Sequence, residues 1–142
     1  MDESGSITDN NPENTHGLYN WNLMQDFVAR IIESLNVGPD FARISVTKFS
    51  SVSETEFDLD EYDNKEDMVA AVLNFEYKSG STNISGALRT LRTEVFARAI
   101  ERSGVPKIGI LITDGEATVE EDTVEEEARL LKDVRIRIPI TT

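Results

Sequence analysis

Five oxygen-bearing side chains, spread over three short segments, are the part of this sequence best suited to chemistry. Asp2, Ser4 and Ser6 form an Asp-x-Ser-x-Ser pattern, Thr82 lies in Gly80-Ser81-Thr82-Asn83, and Asp114 lies in Ile112-Thr113-Asp114-Gly115. Two carboxylates and three hydroxyls, with no nitrogen or sulfur donor, suit a hard and small divalent cation such as Mg2+ or Mn2+, which prefers octahedral oxygen and keeps some of its waters. Each segment alone also fits a turn or a helix cap, where Ser, Thr and Asp satisfy nearby backbone groups. Context joins them. Asp114 directly follows the apolar run Ile108-Gly109-Ile110-Leu111-Ile112, and Thr82 directly precedes a helical run from Ile84 to Ile100.

The elements that must position these residues follow from hydrophobic periodicity. After a polar stretch from Thr8 to Asn20, read as a loop, Leu23, Phe27, Ile31 and Leu35 recur at fourfold spacing with Val28 and Ile32 beside them, which predicts a helix with one apolar stripe ending at Gly38-Pro39. Ala42–Phe49 reads as a strand and Thr55–Leu59 as a shorter, more polar edge strand. Lys65–Phe75 carries Met68, Val69, Val72 and Leu73 at helical spacing, and the next helix sets Ile84, Leu88, Leu91, Val95, Ala99 and Ile100 on one face. Lys107–Thr113 is apolar on both faces, as a buried central parallel strand should be. Thr118 or Thr123 is expected to cap an acidic helix with Val124, Ala128 and Leu131 on its stripe, and Val134–Ile140 is expected to be the last strand. Strands alternating with amphipathic helices imply an α/β fold with a doubly wound, mostly parallel sheet, in which ligands sit beyond the carboxyl ends of the strands. Asp114 has that place.

The 142 residues are one domain's worth, so a single domain over 1–142 is expected. With 27 acidic against 14 basic residues the formal charge is -13, which repels nucleic acid phosphates and anionic membrane surfaces and argues against both as partners. The acidic stretch Glu116–Glu127 reads as a solvated helix face rather than a second cation site. There is no cysteine, so no disulfide, thiolate metal site or cysteine nucleophile. No run is long enough to cross a bilayer, and no apolar leader precedes the metal motif. The sequon at Asn83 adjoins Thr82 and is expected to carry no glycan.

The joint motif resembles the metal-ion-dependent adhesion site (MIDAS) of the von Willebrand factor type A domain, a Rossmann-like fold. The likeness extends over nearly the whole chain, through Leu35-Asn36-Val37-Gly38-Pro39-Asp40, Arg43-Ile44-Ser45-Val46 and Gly80-Ser81-Thr82-Asn83-Ile84-Ser85-Gly86-Ala87-Leu88, toward the type A domains of collagen VI and matrilin-like matrix proteins. The resemblance implies Asp2, Ser4, Ser6, Thr82 and Asp114 as metal positions, Mg2+ or Mn2+ as the ion, and a protein ligand, collagen or another matrix protein, that supplies a carboxylate. It also implies an extracellular setting. Against the family pattern, the apolar strand ahead of the motif and the final strand and helix are missing, so an incomplete domain is expected, and Pro139 suits an edge strand.

Two rival readings remain beside cation-dependent adhesion. One is a metal-dependent phosphohydrolase, for which His16 lies in a polar loop, no phosphate-binding Gly-rich loop exists, and Ser4 stands where an Asp-x-Asp motif would have its second aspartate. The other is a structural fragment that binds no ligand.

Overall fold

In the computed structural model, which describes residues 1–9, 18–98, 102, 104–115, 117–133, 136–137 and 140–141, helices and short strands alternate along the chain. In order they are α1 (Ser6–Asp9), α2 (Tyr19–Ser34), β1 (Val46–Phe49), β2 (Ser53–Phe57), α3 (Lys65–Leu73) and α4 (Ile84–Thr90), which runs through a π-helical turn at Leu91–Val95 into α5 (Phe96–Arg98). Then follow β3 (Lys107–Ile108), β4 (Leu111–Ile112), a 3-10 turn at Glu121–Thr123, α6 (Val124–Asp133), β5 (Ile136–Arg137) and β6 (Ile140–Thr141).

The expected α/β architecture is present, with parallel pairing at its centre and an antiparallel edge. β1 and β2 form an antiparallel hairpin, with Val46 opposite Phe57 and Phe49 opposite Ser53. β3 pairs with β5 and β4 with β6, both in parallel. Met1–Glu3 joins the two halves. Asp2 bridges Phe49 in parallel, the Glu3 N–H donates to the Phe49 carbonyl at 2.8 Å, and the Asp2 N–H donates to the Ile112 carbonyl at 2.9 Å. The stretch that opens the metal motif is thus itself a short central strand.

Helices cover both faces. On one side Trp21, Val28 and Ile32 of α2 and Met68 and Val72 of α3 pack with Met1, Val46 and Phe57. On the other, Ile84, Ala87 and Leu88 of α4 and Leu131 of α6 pack with Phe49 and Phe96. Helix starts follow local chemistry: the Asn64 side chain accepts from the Asp67 N–H, and the Asn83 side chain from the Gly86 N–H.

Several expectations need correction. Of the expected helix stripe, Leu23, Phe27 and, just past the end of α2, Leu35 are exposed, whereas Val28 and Ile32 are buried in a row with Trp21, Gln25 and Ala29. Gln25 is tolerated inside because its amide donates to the Val72 and Phe75 carbonyls at 2.9 and 3.2 Å. Leu73 is likewise exposed. The first strand is shorter than Ala42–Phe49, and the edge strand begins at Ser53, two residues before its expected start. The Thr8–Asn20 loop is narrowed from both ends, by α1 and by α2, while 10–17, including His16, lie outside the described residues. So do Ala99, Ile100 and Pro139.

The largest departure is at Lys107–Thr113. It divides into β3 and β4, and Ile108 is 56 % exposed and Ile110 43 %. The reason is an opening of about 920 Å³ between Ala42–Thr47 and Lys107–Ile112, walled by Val28 and Ile32 on one side and Leu88 and Leu91 on the other. Met1 stands at its inner end, its amino group donating to the Thr47 carbonyl at 3.0 Å. Two strands that would each flank a neighbour here face a gap.

Candidate functional site

Three loops converge where Met1–Glu3 leaves the sheet. The first holds Asp2, Ser4 and Ser6 and winds at once into α1, with the Ile7 N–H donating to the Ser4 carbonyl at 3.2 Å. The second is the turn before α4, which carries Thr82. The third follows β4 and carries Asp114.

Asp2 is fully buried, and both its carboxylate oxygens are engaged: Oδ1 accepts from the Ser4 N–H at 2.8 Å and Oδ2 from the Thr113 hydroxyl at 2.6 Å. A side chain so fixed orients its loop before any ligand arrives. Ser4 Oγ lies 3.0 Å from Ser6 Oγ, and the Ser6 hydroxyl donates to Asp114 Oδ1 at 2.9 Å. Four of the five expected site residues therefore form one continuous hydrogen-bonded chain across the first and third loops.

Thr82 reaches the site by another route. Its N–H donates to the Thr118 hydroxyl at 2.9 Å, and its carbonyl accepts from the Thr118 N–H at 2.9 Å. The Gly5 N–H donates to the Gly80 carbonyl at 2.8 Å, which ties the second loop to the first. Among the described residues the Thr82 hydroxyl makes no hydrogen bond to the other four side chains. Gly80 has φ +126, a conformation that strains any residue with a side chain, and a Cβ there would stand 2.9 Å from Ser51 Oγ.

Exposure is graded across the site. Asp2, Ser4 and Thr82 are buried, Ser6 is half-buried and Asp114 is exposed. Among the described residues no group of three or more His, Cys, Asp or Glu side chains converges on a point. The donors available here are hydroxyls, with carboxylates at either end of the chain. That composition fits a hard divalent cation.

Sequence reasoning missed the residues that hold the donors in place. Thr113 braces Asp2, and Tyr77 donates its hydroxyl to the Ser4 carbonyl at 2.7 Å. Thr118, one of the two residues expected as a helix cap, instead clamps Thr82. The acidic stretch is not wholly solvated either: Glu127 is buried, with its carboxylate between Arg89 and Arg92 at 2.9 Å each. Adjacency to Asp114 was the only available signal for Thr113.

Known proteins share both sequence and fold with this chain. The family model for the von Willebrand factor type A domain matches residues 1–140. Matrilin-1 of Gallus gallus is 35% identical over 120 residues, 84% of this chain and 24% of matrilin-1. The collagen alpha-1(XX) chain of Mus musculus is 36% identical over 116 residues, 81% of this chain and 9% of the collagen chain. The sequence thus spans a quarter or less of these two relatives. Among solved structures, proximal thread matrix protein 1 from the mussel byssus, with a zinc-occupied MIDAS motif, superposes with a TM-score of 0.83 at 32% identity, covering 98% of this chain and 33% of that one. Manganese-loaded Plasmodium vivax TRAP protein shares the fold, with a TM-score of 0.80 at 22% identity over 99% of this chain and 53% of its own.

Proposed function

The chain belongs to the von Willebrand factor type A domain family, and on that premise we propose that it is a divalent-cation-dependent adhesion module of the extracellular matrix. Ser4, Ser6 and Thr82 would hold Mg2+ or Mn2+ through their hydroxyls, with Asp2 and Asp114 reaching the ion directly or through water. Neutral hydroxyl ligands donate little charge, so the bound ion keeps enough positive character to take a carboxylate from a protein partner. The observation that carries this reading is the Ser4–Ser6–Asp114 hydrogen-bonded chain, which sets three expected donors side by side.

The partner's kind follows from the surroundings and the relatives. The exposed end of the site is Asp114, so an incoming acidic side chain approaches from that side. Matrix relatives such as matrilin-1 and the collagen XX chain support a matrix protein, collagen among the candidates, as ligand. The same relatives support a non-catalytic role.

Titration calorimetry with Mn2+ on the wild type, Asp114→Ala and Thr82→Ala tests the reading. Both variants are expected to weaken binding at least tenfold, and capture of a matrix ligand is expected to vanish in EDTA and return with Mn2+. Equal binding by wild type and Asp114→Ala would refute it. With a dissociation constant on the order of 0.1 mM, millimolar metal would add about 1.4 kcal/mol to stability, which makes the ion a functional ligand more than a structural one.

A further inference from the structure

Beneath the site lies a buried charge that adhesion chemistry does not use. Lys48 of β1 has a side chain only 1% exposed, and its ammonium lies 3.2 Å from Glu3 Oε2 and 2.8 Å from Glu56 Oε1. It also donates to the Glu76 carbonyl at 2.6 Å. Three N–H groups meet three acceptors, so the ammonium is fully satisfied. Glu3 Oε2 in turn accepts from the Lys78 N–H at 3.1 Å.

The connectivity is informative. Glu3 is the residue between Asp2 and Ser4, and in extended backbone successive side chains point to opposite sides. The stretch that presents Asp2 and Ser4 to the site is therefore gripped from its far side by Lys48. The same ammonium holds Glu76, and Glu3 holds Lys78, in the segment that leads into Gly80–Thr82. One cation thus ties the two loops that supply four of the five metal donors, with Glu56 anchoring it to β2. A buried ion pair is seldom worth more to stability than an apolar pair of the same size, so stability alone is a weak reason for a lysine here.

We propose that Lys48 is a positioning residue for cation binding: through Glu3 and the Glu76–Lys78 segment it sets the spacing of the Asp2–Ser6 and Gly80–Thr82 loops. The inference rests on the metal-site reading above. It is tested by Mn2+ calorimetry, the electron paramagnetic resonance spectrum of the bound Mn2+, and circular dichroism to measure the folded fraction. The proteins are the wild type, Asp114→Ala, Lys48→Met, Lys48→Arg and the double variant Glu3→Met/Lys48→Met.

Lys48→Met, while folded, is expected to bind Mn2+ at least tenfold more weakly and to broaden the spectrum of the bound ion. Lys48→Arg, which keeps a cation able to reach the same carboxylates, should recover to within about threefold of the wild type. If Lys48→Met does not fold, the double variant carries the test, because it removes both buried charges together, and the same tenfold loss is expected. Wild-type affinity and spectrum in a folded Lys48→Met or double variant overturn the positioning role. So does a loss that only tracks the unfolded fraction, or a Lys48→Arg no better than Lys48→Met. A wild type that takes up no Mn2+, or an Asp114→Ala that binds equally, instead overturns the metal site itself.

Discussion

The two ends of the central strands differ sharply in how they are finished. At the carboxyl end, where Asp2 leaves the sheet, the Asp2 carboxylate and N–H, the Ser4 N–H and the Thr82 N–H all have partners within 2.9 Å. At the amino end the same strands border an opening of about 920 Å³, with Ile108 and Ile110 turned to solvent. The difference teaches that two kinds of force hold this domain. The site is assembled by short hydrogen bonds among loops and needs little from the far end of the sheet, whereas cohesion of the sheet depends on apolar surface that the opening leaves uncovered.

The largest test fills the opening. Carrying the Asp2–Phe49 register back along β1 sets roughly five residues ahead of Met1 against Arg43–Thr47, a usual strand length. Burying five apolar side chains at about 1.5–3 kcal/mol each, less about 1–2 kcal/mol per ordered residue, predicts at the central values a gain of about 4 kcal/mol from joining such a segment to Met1. The segment would also convert a buried amine into an amide. Burial lowers the pKa of the Met1 amino group from 8.0 to about 5, against the pull of Asp2 and Glu3. Between those values the unfolded chain binds more protons than the folded one, so stability should rise from pH 5 to pH 8, by up to about 4 kcal/mol. Urea unfolding across that range should show the rise in the 142-residue chain and its loss in the extended one. If the site end is independent, Mn2+ affinity per folded molecule will not change; a large gain would erase the contrast between the two ends.

A smaller effect is expected at the site end. Thr113→Val removes the hydroxyl that donates to Asp2 Oδ2 and leaves a buried carboxylate oxygen short of a partner, at a cost of about 1.5–3 kcal/mol. Thermal unfolding should register that loss, and calorimetry a weaker Mn2+ affinity, because Asp2 is free to turn. An unchanged affinity would mean that the first loop is held without this brace.

The smallest effect is expected away from both ends, at Glu127. Burial pushes its pKa up, but hydrogen bonds from Arg92 and Arg89 outweigh this and hold it below the ordinary carboxylate value. Its contribution is therefore present at neutral pH and lost as pH falls through that lowered pKa. Glu127→Gln should cost about 1 kcal/mol at pH 7 and flatten the acid limb of a stability–pH curve. A variant whose acid limb matches the wild type would remove this pair from the account.

The clustering of Asp2, Ser4, Ser6 and Asp114 was legible in the sequence, because the proposed metal chemistry restricts residue type and the structure brings these four together. What braces them was not, since Thr113, Tyr77 and Lys48 act through tertiary contacts that no local pattern encodes. The buried face of α2 was read only in part, at Val28 and Ile32, for a related reason. Its apolar residues occupy two adjacent faces, and the inner one contains a glutamine whose backbone partners on Val72 and Phe75 lie some fifty positions away. The apolar character of Lys107–Thr113 was plain, but an apolar strand is buried only if something lies beside it.

The π-helical turn at Leu91–Val95 bears on how this domain varies among its kin. Such a turn is wound more loosely than the α-helix on either side and so takes up an additional residue. Here the slack lies at exposed Thr93 and Glu94, while Val95 and Phe96 stay buried with Leu88. A one-residue insertion or deletion at this point is therefore expected to keep the same face against the sheet. The segment from Ser81 to Gly86 allows no such drift, because Thr82 there is pinned through both its N–H and its carbonyl to Thr118, and an alignment of this family should place its gaps accordingly.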